Sequence, residues 1–177
     1  MKKKLYLIFI ATLIFSLLFS HNVKAYWPYY VNSYDLDSKN ENVVQVLNYN
    51  DKNIYITDSD VYLMAQIVYA ESRSEPFEGK VAVASVILNR VIHPSFPKSV
   101  EEVIKQKAAF SCVKNGEIHD IPDSSSYKAV LEALKGKDPT DKAVFFYNPD
   151  IATSKWMKNI RKNNTKKIGN HVFFLIK

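Results

Sequence analysis

The sequence has one cysteine, Cys112, and four glycines in 177 residues. One cysteine cannot close a disulfide within the chain, nor can it build a Cys-rich zinc site. No histidine is placed near it as a base, so Cys112 reads as a small, half-buried residue in a β segment rather than as a nucleophile. The glycine-rich phosphate signatures G-x-x-x-x-G-K-[ST] and G-x-G-x-x-G are both missing, which removes support for the phosphate-loop classes. The four histidines, His21, His93, His119 and His171, are far apart, and no H-E-x-x-H pair occurs. Nothing points to a metal or organic cofactor. Acidic residues are missing from the first 25 positions, which carry Lys2, Lys3, Lys4 and Lys24. Without that segment the 24 Lys and Arg fall to 20, against 18 Asp and Glu, so most of the +6 net charge is N-terminal. A basic nucleic-acid-binding domain thereby loses its compositional support.

What is present divides into three parts. Residues 1–25 combine a Lys2–Lys4 n-region, an uncharged and mostly apolar run from Leu5 to Ser20, and small residues at Val23-Lys24-Ala25. This is the pattern of a secretory signal peptide. The run is shorter than the ~20 residues a membrane-spanning helix prefers, and both cleavage and retention as an anchor place the rest of the chain outside the cytoplasm. Residues 26–57, rich in Tyr, Asn, Asp and Ser, read as a flexible linker that Tyr26, Trp27, Tyr29 and Tyr30 could make adhesive. Residues 58–177 carry the periodic patterns of a folded domain.

Within that domain, Asp58 or Ser59 is expected to cap a helix running through Ala70. Pro76 opens a second, from about Phe77 to Ile92, with Glu75 and Glu78 favourable at its start. Ser99 and Glu102 form a capping box for a short third helix to about Lys107. Asn115-Gly116 signals a hairpin joining Ser111–Lys114 to Glu117–Ile121. A fourth helix from Ser125 to Lys135 stops at Gly136. Ala143–Tyr147 and His171–Ile176 read as strands. About four helices and a small antiparallel sheet make an α+β domain.

One charged residue is out of place. On a helical wheel with Gln66 at zero, Tyr62, Tyr69 and Arg73 fall within about 60° of it and form the polar stripe. Met64, Ile67 and Val68 form the buried one, and Glu71 falls among them at about 140°. A carboxyl there is costly unless it faces a cleft or has a partner. Apolar surroundings and the negative end of the helix dipole both favour its neutral form, which suits a general acid. The competing reading ends the helix earlier and pairs Glu71 with Arg73 or Arg90. In the second helix, Ser85 and Asn89 lie on one face, either lining a cleft or forming a satisfied polar pair in the core. Arg90 reads as a surface or ion-pair residue.

The stretch Leu63 to Arg90, containing Tyr69-Ala-Glu71-Ser-Arg73, resembles the SleB/CwlJ family of bacterial cell-wall hydrolases, which includes spore cortex-lytic enzymes. Further matches follow in order: Phe96-Pro97, Val103-Ile104, Phe110-Ser111, Gly136 with Asp138-Pro139, Tyr147-Asn148-Pro149, Ser154 with Trp156, and Ile168-Gly169 with His171 and Phe173. The resemblance covers residues 58 to 177. Ser72-Arg73-Ser74 departs from the commoner Ala-Arg-Gly, and Ala109 stands where Gln or Gly is expected. The long enzymes of the family carry an additional N-terminal peptidoglycan-binding domain, which is not read here.

The resemblance implies a compact lysozyme-like or lytic-transglycosylase-like fold. It also implies a catalytic Glu on the first core helix, aligning with Glu71. The substrate implied is the glycan of peptidoglycan, in spore cortex or cell wall, cut between N-acetylmuramic acid and N-acetylglucosamine during sporulation or germination. No second carboxylate takes a compelling position; Asp120 and Asp123 read as loop residues. A single acid fits lytic transglycosylation, with a water-using muramidase or glucosaminidase and a non-catalytic peptidoglycan-binding module as alternatives. Tyr147 and Asn148 are candidates to bind an N-acetyl group, Phe110 and Trp156 to stack on sugars, and Ser111 to orient a carbonyl. Core packing or turn chemistry is the other reading of each, and His171 is taken as structural. The expected partners are peptidoglycan strands and an activating or anchoring protein, with no nucleic acid and no metal, for an exported monomer.

Overall fold

Thr57 starts the first helix, one residue earlier than expected. Its side chain accepts from the Asp60 N–H at 3.1 Å, while Asp60 accepts from the Thr57 N–H at 2.9 Å, a reciprocal capping box. Asp58 and Ser59 are displaced as caps because Thr57 has extended backbone and a partner three residues on. The computed structural model describes residues 43–49 and 52–176. The expected signal segment, the Tyr26–Tyr30 aromatics and the remainder of 26–42 lie outside the described residues.

The elements run β1 (Val43–Tyr49), β2 (Lys52–Thr57), α1 (Asp58–Ser72), α2 (Phe77–Ile92), α3 (Val100–Lys105), α4 (Ser124–Leu134), β3 (Phe145–Tyr147), α5 (Lys155–Asn159), β4 (Lys162–Ile168) and β5 (His171–Ile176). Among the described residues there are thus five helices, a two-stranded β1–β2 ribbon and an antiparallel sheet in the order β3-β5-β4. The architecture is α+β, as expected.

The linker reading of 26–57 is corrected over its described part. β1 and β2 pair antiparallel, Leu47 opposite Ile54 and Tyr49 opposite Lys52. Ile54 and Ile56 alternate with exposed Asn53 and Tyr55, so one face of β2 enters the core. The Tyr49 hydroxyl donates to Asn89 at 3.2 Å, and the Lys52 ammonium donates to the Ile92 carbonyl at 2.8 Å, fastening the ribbon to α2. The polar residues between the apolar ones of β2 are the solvent face of a strand rather than a spacer.

α2 is the spine. Thirteen of its sixteen residues are buried, from Gly79 to Val91, with α1 and α4 packed on it. Each aliphatic side chain fully buried there contributes about 1.5–3 kcal/mol. Ser85 and Asn89 are a satisfied core pair that anchors a loop. Ser85 donates within α2 and toward the Lys137 carbonyl, and Asn89 donates to Asp138 at 2.9 Å and the Ala143 carbonyl at 3.1 Å. Arg90, expected at the surface, is 5% exposed, with its guanidinium at 4.9–5.9 Å from the rings of Phe96, Phe110 and Phe145. Its weakly hydrated cation is held among aromatic faces.

Other boundaries shift for local reasons. α3 ends at Lys105, two residues before Lys107. The Ser111–Ile121 hairpin contracts to a single Lys114–Glu117 bridge. Asn115 and Gly116, at φ 54° and 82°, do make the tight turn. α4 is capped by Asp123, whose carboxylate accepts from Ser126 N–H and hydroxyl at 2.7 Å. β3 is shorter than expected because Ala143 and Val144 lie before the pairing with β5 begins. Besides β1 and β2, two elements had no counterpart in the sequence reading, α5 and β4. β4 pairs with β5 across a two-residue Gly169-Asn170 turn, Ile168 opposite His171.

Candidate active site

Glu71 occupies the last turn of α1, whose helix continues through Ser72. The reading in which the helix stops before Glu71 is therefore excluded. The side chain is half-buried, at the edge of the apolar stripe rather than inside it. Its Oε1 accepts two hydrogen bonds from one residue, the Ser111 N–H and the Ser111 hydroxyl, both at 3.1 Å. Ser111 thus holds the Glu71 carboxyl directly. It follows Phe110, which is 4% exposed beneath the Arg90 guanidinium.

The wheel misplaced Gln66. Gln66 is buried against the 118–120 loop while Tyr62 and Arg73 of the same stripe stay exposed, and the Gln66 amide donates to the carbonyls of Ile118 at 3.2 Å and Asp120 at 2.9 Å. A helical wheel reports neighbours on one helix and is blind to a loop laid across it.

Around the carboxyl the electrostatics are one-sided. Burial pushes the Cys112 thiol up to about 12, and the charge of Glu71 and a hydrogen bond to it act in the same direction, followed by Asp120. Arg90 is lowered to about 10 by burial, with Glu71 opposing the shift. Its Nε donates to the Val144 carbonyl at 2.8 Å, while Nη1 is buried without a partner among the described residues. His171 is buried and its imidazole is driven toward the neutral form by desolvation, against the pull of Glu75 and Glu71. It stands edge-on to Phe146 at 5.3 Å, a structural placement as expected.

Glu75 went unnoticed in the sequence beyond its place before α2. It accepts from the Asn170 N–H at 2.8 Å and the Asn170 amide at 3.0 Å, tying the α1–α2 loop to the β4–β5 turn. The signal that could have found it is the Gly169-Asn170 dipeptide between apolar Ile168 and β-forming residues, a hairpin signature.

The expected binding residues separate into two groups. Ser111 meets Glu71, but Phe110 is covered and has no free face for a sugar, which corrects its stacking role. Phe146 lies beside it at 6.4 Å and stacks on Phe173. Tyr147 lies elsewhere in the packing, edge-on to Phe174 at 5.9 Å with the Lys162 ammonium 5.1 Å over its ring. Asn148 accepts from the Asp150 N–H at 2.9 Å, so its side chain serves a turn. Trp156 is 51% exposed and packs edge-on to Phe145 at 5.9 Å. None of Tyr147, Asn148 and Trp156 makes a described contact with Glu71. Among the described residues no group of three or more His, Cys, Asp or Glu is placed to hold a metal ion.

Residues 74–174 match the model of the cell wall hydrolase family. The chain belongs to that family. Spore cortex-lytic enzymes of Bacillus cereus and Bacillus subtilis are 50% and 45% identical to it over 117 residues, or 66% of this chain. The match spans 44% and 38% of those proteins, so the chain covers less than half the length of these relatives. The solved catalytic domain of the Bacillus cereus SleB protein shares 49% identity at a TM-score of 0.60, covering 67% of this chain and 91% of that one. The catalytic domain of the germination-specific lytic transglycosylase SleB from Bacillus anthracis shares 48% at 0.62, covering 68% and 97%. Family membership and the lysozyme-like α+β fold anticipated from the sequence are thereby established.

Proposed function

We propose that this cell wall hydrolase domain cleaves the glycan backbone of peptidoglycan between N-acetylmuramic acid and N-acetylglucosamine as a lytic transglycosylase, with Glu71 as its acid and base. The observation that carries the reading is the Glu71 carboxyl at the end of α1, held on one oxygen by Ser111, within a chain matching a domain described as a lytic transglycosylase. Protonated Glu71 donates to the glycosidic oxygen, the bond to the muramic anomeric carbon breaks, and positive charge develops there. The resulting carboxylate then takes the proton of the sugar's own 6-hydroxyl as that oxygen closes on the anomeric carbon. A 1,6-anhydro end forms, and Glu71 is returned to its starting state. One group serves both steps because the two proton transfers are sequential. The setting is an exported protein acting on spore cortex or cell wall.

The test is digestion of purified peptidoglycan, cortex and vegetative in parallel, with products read by mass spectrometry. Anhydro-muramic ends are expected from the wild type, and Glu71→Gln should slow their release by roughly 10²–10⁴-fold. Equal cleavage by the variant would remove Glu71 from this role. Reducing ends in place of anhydro ends would mean that water attacks instead, as in a muramidase, and would call for a second carboxylate.

A further inference from the structure

The near-neutral balance of residues 26–177 hides a polar distribution of charge. Asp150 is the last acidic residue of the sequence. Beyond it, residues 151–177 hold seven Lys or Arg and no Asp or Glu, whereas residues 58–150 hold eleven basic against fourteen acidic. The fold gathers most of these cations on α5, the turn after it, and edge strand β4. Lys155, Lys158, Arg161, Lys166 and Lys167 are all exposed. Among the described residues none of the five forms a salt bridge, while Lys80, Lys105, Lys135 and Lys137 each pair with Asp123, Glu101 or Glu132. The sixth cation, Lys162, is turned inward over the rings of Tyr147 and Phe174. Two acids reach its margins among the described residues: Asp141 accepts from the Asn164 amide at 2.9 Å on the irregular part of β4, and Glu75 accepts from Asn170 in the turn after it.

Lysines on an edge strand keep it from pairing with another chain. That accounts for Lys166 and Lys167. It does not account for Lys155, Lys158 and Arg161 on α5 and its turn, nor for Trp156, exposed among them.

We propose that α5 and β4 form a docking surface for the carboxylate-bearing part of a peptidoglycan strand. Exposed cations that follow one another along α5 and β4 without ion-pair partners among the described residues raise the local concentration of a polyanion and speed its capture, and an exposed indole supplies an apolar face for a sugar ring. The surface is mechanically continuous with the site. Trp156 packs on Phe145, the Arg90 guanidinium spans Phe145 and Phe110, and Phe110 precedes the Ser111 that holds Glu71. The docking assignment rests on peptidoglycan being the substrate.

The experiment is sedimentation of the purified chain with sacculi on ice. The sacculi are used intact, after hydrofluoric acid removal of phosphate polymers, and after carbodiimide amidation of their carboxylates. Binding of the wild type should survive acid extraction and weaken about tenfold or more both with rising salt and on amidation. Replacing Lys155, Lys158, Arg161, Lys166 and Lys167 together by Gln should give the same loss, and the control Lys135→Gln/Lys137→Gln should bind as wild type. Equal binding to amidated sacculi, or wild-type binding by the five-site variant, overturns the proposal. Loss of binding on acid extraction alone overturns it in favour of a phosphate polymer. The amidation arm uses the wild type, so the result does not depend on the folding of a variant. A wild type that binds by charge but never cleaves refutes the enzymatic reading and spares this one; one that cleaves with charge-indifferent binding does the reverse.

Discussion

Ser111 spends two donors on one oxygen of Glu71, its backbone N–H and its hydroxyl. Only the second can be removed by substitution. Ser111→Ala should therefore lose one hydrogen bond, about 1 kcal/mol, and lower kcat about fivefold with KM little changed. A change in KM alone would mean that Ser111 binds substrate without orienting the acid. Cys112, next in sequence, has its thiol held protonated by burial and by the neighbouring carboxylate, with a value of about 12. It is thus a poor nucleophile, since the thiolate is the reactive form.

At the scale of elements, the two-residue turn between β4 and β5 carries more than a change of direction. Gly169 has a φ of +58°, and a Cβ added there would collide with the Glu75 carboxylate and Pro76. Gly169→Ala should lower stability by about 1–3 kcal/mol, through strain and the lost clasp, visible as a fall in Tm without loss of helical signal. An unchanged Tm would show that the loops separate at little cost. The same turn shows what sequence could and could not disclose. α2 and β5 were legible to the residue because each is a continuous apolar run with clear stops. Glu71 was legible because a charge interrupts a helical stripe, and the family resemblance met it there. β4 was not, because Lys-Asn-Asn-Thr-Lys-Lys is a strand only by virtue of its partner. The ribbon before α1 was passed over although Ile54, Tyr55 and Ile56 are β-forming residues in alternation, and Gln66, Phe110 and Arg90 were misplaced because burial by a distant segment leaves no local trace.

At the scale of the molecule, two titrations link pH to folding in the same direction. His171 is buried with its affinity for a proton reduced below that of the unfolded chain, where histidine titrates near 6.5. Between those values the unfolded state binds more protons, so stability rises with pH and is complete above about 6.5. Asp123 is likewise depressed, by its hydrogen bonds from Ser126, opposed by burial and aided by Lys80, and its contribution is lost as pH falls through the acid range. Thermal melts should show the wild type losing stability from pH 7 to 5 with a slope of at most about 1.4 kcal/mol per unit from His171. His171→Gln should flatten that slope, and parallel curves would assign the acid sensitivity elsewhere.

The Glu75–Asn170 clasp joins residues 95 apart, and it has a consequence in time. A polypeptide emerges from its ribosome N-terminus first, so α1 and Glu71 are out long before Asn170 arrives to fix the loop that follows them. A domain fastened by its last strands stays incomplete while it is being made, because the loop after its first helix gains this partner only when the β4–β5 turn has emerged.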